Sequence, residues 1–154
     1  MSAAVEHFRG AYTALSPELA GAELPWMAAL RAKALAEVEA KGFPGRRDED
    51  WKYTSVRWLG TGFSPAAAGQ DPGDSLFVPR LETRFDRLVF VDGVFSPSHS
   101  RVRAPGVRVT PLREALAELE GSVDGSAQLA GAFARLNTAL MDDCLLYTSD
   151  VADE

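Results

Sequence analysis

The chain has 154 residues, 46% hydrophobic and 25% charged, fractions that fit a folded globular chain and exclude disorder throughout. Its formal net charge of −6 argues against a non-specific nucleic-acid binder and against docking on an anionic membrane, both of which need clustered Lys and Arg. No stretch approaches the roughly 20 apolar residues of a membrane span, and Met1–Gly10 lacks the basic-then-apolar order of a signal peptide, so cytoplasmic residence is expected.

Val5, Phe8, Tyr12 and Leu15 recur at spacings of three and four and predict a short amphipathic helix that Ser16-Pro17 ends. Pro25 opens a longer helix with a stripe of Met27, Leu30, Ala34 and Val38, since proline loses no hydrogen bond in a first turn. Lys41 opposes the negative helix end, Gly42 supplies the cap and Pro44 blocks continuation. Arg46 to Thr54 sets charges of both signs beside Trp51 and Tyr53, with Asp48 as an N-cap, and Trp58 and Leu59 are expected to close this unit against the long helix.

Residues 60 to 75 are rich in Gly, Ala, Ser, Pro and Asp and read as a linker. Leu88–Val91, Asp92-Gly93 and Val94-Phe95 then form a hairpin signal, because the turn positions favour positive φ. Val107 and Val109 suggest a third strand, and Thr110-Pro111 reads as the cap and first turn of a helix carrying Leu112, Leu116 and Leu119. Leu129, Phe133, Leu136 and Leu140 mark a last helix. The fold class is therefore α+β: an N-terminal helical region at 1–59, a linker at 60–80, a hairpin with helices at 81–143, and a tail at 144–154.

The tail reads as foreign. The DNA string TGTCTCTTATACACATCT encodes Cys-Leu-Leu-Tyr-Thr-Ser, the residues at Cys144–Ser149, and matches the end of a transposon adapter used in sequencing libraries. The adapter continues as Asp-Ala-Ala-Asp, against Asp-Val-Ala-Asp here. Residues 144 to 154 are accordingly expected to be translated adapter and are set aside from fold reasoning. Cys144 is the one cysteine, so no internal disulfide, multi-cysteine cluster or multi-cysteine zinc site can form within the chain.

No motif carries an evident chemistry. Gly60-Thr61-Gly62 lacks the Lys-Ser/Thr and the strand-to-helix context of a phosphate loop. His7 falls on the expected exposed side of the first helix. Ser98-His99 juxtaposes a nucleophile and a base, but turn chemistry accounts for Ser96-Pro97-Ser98-His99-Ser100 without catalysis. Asp48, Glu49 and Asp50 are consecutive and so point apart, which suits a helix start better than a metal. Trp51, Tyr53 and Trp58 fit core or interface packing better than base stacking. The residues alone describe an α+β domain with an aromatic-acidic corner, and no catalytic, cofactor-binding or metal residue is expected.

The run Arg46-Arg47-Asp48-Glu49-Asp50-Trp51-Lys52-Tyr53-Thr54, following Gly42-Phe43-Pro44, resembles the start of SufD-type proteins of the SufB/SufD superfamily. Trp26, Leu30, Arg31 and Ala34 upstream, Leu88 to Ser96, Gly106 to Val109, and Phe133 to Leu140 downstream resemble that family in its own order; the early hairpin is more like SufD than SufB. At Cys144, where the family has Gly, the resemblance stops.

The resemblance implies a non-catalytic scaffold subunit of the SUF iron–sulfur assembly complex, with SufB-like and SufC-like partners and a right-handed parallel β-helix core. The full-length complex handles iron–sulfur clusters and uses ATP through SufC. The chain is expected to stop before those parts, so no ligand residue carries over, and the last helix is expected to have lost the partner of its apolar face, leaving a marginal or aggregation-prone piece. The alternatives are a stand-alone α+β interaction module and a small hydrolase using Ser98 and His99.

Overall fold

The computed structural model describes residues 2–60, 85–91, 93–120, 131–142 and 144–149. They fall into two compact units, one drawn from Met1–Pro65 and Ala117–Asp142, the other from Ala66–Leu116 and Asp143–Glu154. The architecture is α+β, as expected. Most of the expected linker lies outside the described residues. The last helix, grouped by the sequence with the hairpin, falls in the first unit.

The first unit is helical. Helix α1 spans Ala3–Leu15, and the Ser2 hydroxyl accepts the Val5 N–H at 3.4 Å as its N-cap. Val5 and Phe8, a turn apart, are buried, as their spacing predicts. Helix α2 spans Pro25–Lys41 and ends at Gly42, whose φ of +70° carries no Cβ penalty and whose N–H donates to the Val38 carbonyl at 2.7 Å.

The buried face of α2 is Met27, Arg31, Ala34, Leu35 and Val38. The expected stripe included Leu30, which is only half-buried, and missed Arg31 and Leu35. The face is rotated because α4, Ala132–Leu140, packs along α2, where Ala139 is fully buried in a cluster with Ala34 and Leu35, and Tyr12 lies against them. Small residues at this contact let the two backbones approach closely. The expectation that the last helix lacks a partner is therefore overturned: α2 covers it. Thr138 is also buried there, its hydroxyl donating to the Ala134 carbonyl at 3.1 Å.

A 3-10 turn at Arg57–Gly60 closes on α1 rather than on the long helix. Leu59 is buried, but Trp58 is 57% exposed. The approach is close enough that a Cβ at Gly60 would lie 3.1 Å from the Ala4 nitrogen and 3.2 Å from the Ala3 Cβ.

The second unit rests on two two-stranded antiparallel sheets. Strands β1, Phe90–Val91, and β2, Val94–Phe95, pair with Phe90 opposite Phe95 and Val91 opposite Val94. The two-residue connection is the hairpin the Asp-Gly signal predicts, with Gly93 at φ +86°. Strand β3 spans Val107–Pro111 and α3 spans Leu112–Ala115. The expected helix start at Thr110 is thus displaced. Thr110 and Pro111 remain in the ladder opposite Leu146 and Leu145, and the helix begins only at Leu112.

The partner of β3 is β4, Leu145–Ser149, a segment set aside in the sequence as adapter. Open strand edges accept a β-prone partner of almost any sequence, and Leu-Leu-Tyr-Thr-Ser is β-prone. Pairing and foreign origin are therefore compatible.

Candidate functional site

The segment from Gly42 to Gly60 gathers most of the features singled out in the sequence. An aromatic chain anchors it. Phe8 contacts Phe43 with ring centroids 5.5 Å apart, Phe43 contacts Phe133 at 5.5 Å, and Trp51 stacks on Phe133 at 5.1 Å with planes 30° apart. Trp51 is thereby held by α4, while Tyr53, two residues on, is 92% exposed. Of the core and interface packing expected for these aromatics, Trp51 packs within the chain, while Tyr53 and Trp58 lie at its surface.

Asp48 stands at the N-cap position of the 3-10 turn Glu49–Trp51, but its carboxylate accepts no hydrogen bond from that turn. Instead Oδ2 accepts the Gly45 N–H at 2.7 Å, closing the Gly45–Asp48 loop on itself. Asp48, Glu49 and Asp50 are exposed, and among the described residues no group of three His, Cys, Asp or Glu side chains is disposed to hold a metal ion.

Two concavities open on either side of this loop. One, of about 510 Å³, is lined by Lys41–Pro44, Asp48, Asp50, Trp51 and Gly131–Arg135. Its Lys41 and Arg135 side chains are drawn to Glu37 as ion pairs. The described lining offers aromatic surface from Phe43, Trp51 and Phe133 and balanced charge from Lys41, Arg135, Asp48 and Asp50. The other, of about 470 Å³, is lined by Pro44–Asp48 and Thr54–Arg57 and carries Arg46, Arg47 and Arg57.

Further along α2, away from these linings, lies a buried cation. Arg31 is 2% exposed, and its Nη2 donates to the Ala20 carbonyl at 2.6 Å and to the Met141 carbonyl at 2.7 Å. Desolvation pushes its pKa below the usual arginine value, with Tyr12, Asp142 and Glu23 pulling the other way. Asp142 Oδ1 accepts the Ala20 N–H at 2.8 Å. One arginine and one aspartate thus tie the loop before α2 to the end of α4. The sequence marks Arg31 only as part of a family pattern; a charge on an otherwise apolar face is the signal that could have found it.

The remaining candidates lie elsewhere. His7 is half-buried against Phe8 at 5.2 Å, with Nε2 buried and without a hydrogen bond, contrary to its expected exposure. His99 Nδ1 lies 2.8 Å from Ser96 Oγ and 2.9 Å from Ser98 Oγ. Ser100 Oγ accepts the Val89 N–H at 2.9 Å and donates to the Ser96 carbonyl at 2.7 Å. This network ties the hairpin base together, as turn chemistry predicts. Cys144 is exposed.

The family model described as SufBD protein N-terminal region matches residues 3–151. No curated protein and no solved structure matches the chain.

Proposed function

This chain belongs to the SufB/SufD superfamily through its N-terminal region, and from that premise we propose that it acts as a SufD-type, non-catalytic scaffold piece of the SUF iron–sulfur cluster assembly complex. The match over residues 3–151 carries the reading. The Trp51-Lys52-Tyr53-Thr54 block followed by the hairpin at Phe90–Phe95 favours SufD over SufB within the superfamily.

The proposed role is to hold partners rather than to react. Trp51 locks one surface loop to α4, and Arg31 locks the loop before α2 to the end of the same helix. Such bracing supports a surface that presents side chains without moving. The partners are SufB-like and SufC-like subunits, the setting is the cytoplasm, and the iron–sulfur cluster is cargo of the whole complex.

Co-expression tests this. The reading frame that contains this chain, expressed with SufB-like and SufC-like subunits from the same genome, is expected to co-purify with both. The isolated chain is expected to bind neither iron nor sulfide. A purified chain that loads iron unaided, or a full frame that recovers neither subunit, overturns the proposal. No helix among the described residues is long and apolar enough to cross a membrane.

A further inference from the structure

We infer that the concavity carrying Arg46, Arg47 and Arg57 is a docking site for a carboxylate-bearing segment of a partner protein. The three arginines line one depression of about 470 Å³ with Pro44, Thr54 and Ser55. All three are exposed, and among the described residues none is paired with a carboxylate. In a chain of net charge −6, three guanidiniums against the one carboxylate of Asp48 around one hollow are a local reversal of sign. Guanidinium presents a planar fork that matches carboxylate geometry.

The chain neighbours of the lining add to this. Tyr53, beside Thr54, is 92% exposed, and Lys52 Nζ sits 5.5 Å from its ring centroid. Trp58, beside Arg57, is 57% exposed. Exposed Arg, Tyr and Trp together are the composition of protein-binding hot spots. The loop is held by Trp51 on Phe133, by buried Leu59 and by the Asp48–Gly45 bond, so little backbone ordering is needed on binding.

Asp48 sits in the lining, with Glu49 and Asp50 next to it. These carboxylates interrupt the positive field and disfavour a continuous phosphate backbone. A peptide with spaced carboxylates avoids that repulsion.

The test is fluorescence anisotropy of a fluorescein-labelled Glu-Gly repeat decapeptide with the full chain. Saturable binding is expected. The triple variant Arg46→Gln/Arg47→Gln/Arg57→Gln should weaken it about tenfold, as three ion pairs of roughly twofold each or slightly more multiply. A charge-matched control, Arg9→Gln/Arg108→Gln/Arg113→Gln, should leave affinity within about twofold. Tyr53→Ala, at a side chain too exposed to matter for folding, should weaken binding about threefold and carries the test should the triple variant unfold.

Absence of saturable binding, equal loss in the control, or tighter binding of a labelled oligothymidine of equal length overturns the inference, as does displacement of the peptide by inorganic phosphate as readily as by free glutamate peptide. The inference rests on the scaffold reading for the kind of partner. The anisotropy reads the site alone and co-purification reads the scaffold role, so either can fail without the other.

Discussion

The two units of this chain are held by different forces. In the helical unit, side chains far apart in sequence interlock: Val5, Phe8, Met27, Val38 and Ala139 are buried, and Arg31 and Asp142 bond across more than a hundred residues. In the second unit, short ladders and serine hydroxyls join the strands and only Ala115 and Leu116 are buried apolar residues among those described, while Phe85, Leu88, Phe90 and Val102 remain exposed. Stability should follow this division. The first unit answers to changes of volume and buried polarity, the second to changes in backbone pairing.

The sharpest way to break the comparison is Arg31→Ala. It leaves the Ala20 and Met141 carbonyls without their donor inside the packed unit, and the expected loss is about 3–5 kcal/mol in denaturant unfolding followed by helical circular dichroism. A loss under about 1 kcal/mol would mean that the guanidinium is not what joins the loop to α4. Ala139→Leu comes next. Ala139 is wholly buried against Ala34 and Leu35, so the added bulk should cost about 1–3 kcal/mol. An unchanged midpoint would show that α4 does not pack on α2 in solution, and would restore the expectation of an uncovered helix.

The sequence spoke clearly where one local rule decides the structure. Pro25 and Gly42 bound α2, and the Asp-Gly step sets the hairpin register, because proline and glycine act on the backbone through their own geometry. It spoke less clearly where a distant element decides. The stripe on α2 included Leu30 and missed Leu35 and Arg31, because α4 approaches from a side that periodicity along α2 cannot reveal. The start of α3 was misplaced because Thr110 is a good cap only if no strand claims it, and β4 does. The candidate site divides the same way. Trp51, Tyr53 and Trp58 stood out as a group, but which of them packs depends on Phe133, more than seventy positions along the chain.

The second unit offers two milder tests. Ending the chain after Asp142 removes β4 and should abolish amide protection along Val107–Thr110 and at Leu112, while the helical melt stays where it was, because no buried side chain of the first unit is lost. A shift of both together would show that the division is not energetic. Replacing Leu145–Ser149 with an unrelated β-prone sequence should preserve the protection if an open edge, rather than a specific partner, is what β3 requires.

The smallest expected effect is Ser100→Ala. Its hydroxyl accepts the Val89 N–H and donates to the Ser96 carbonyl, so its removal should cost about 1 kcal/mol. That cost should appear as faster exchange of the Val89 amide, with the global unfolding midpoint unchanged. Hairpin exchange that stays slow would assign the base of the ribbon to the Arg87–Arg101 backbone bridge instead, where the two main-chain bonds of 2.8 and 2.7 Å already join the same two segments.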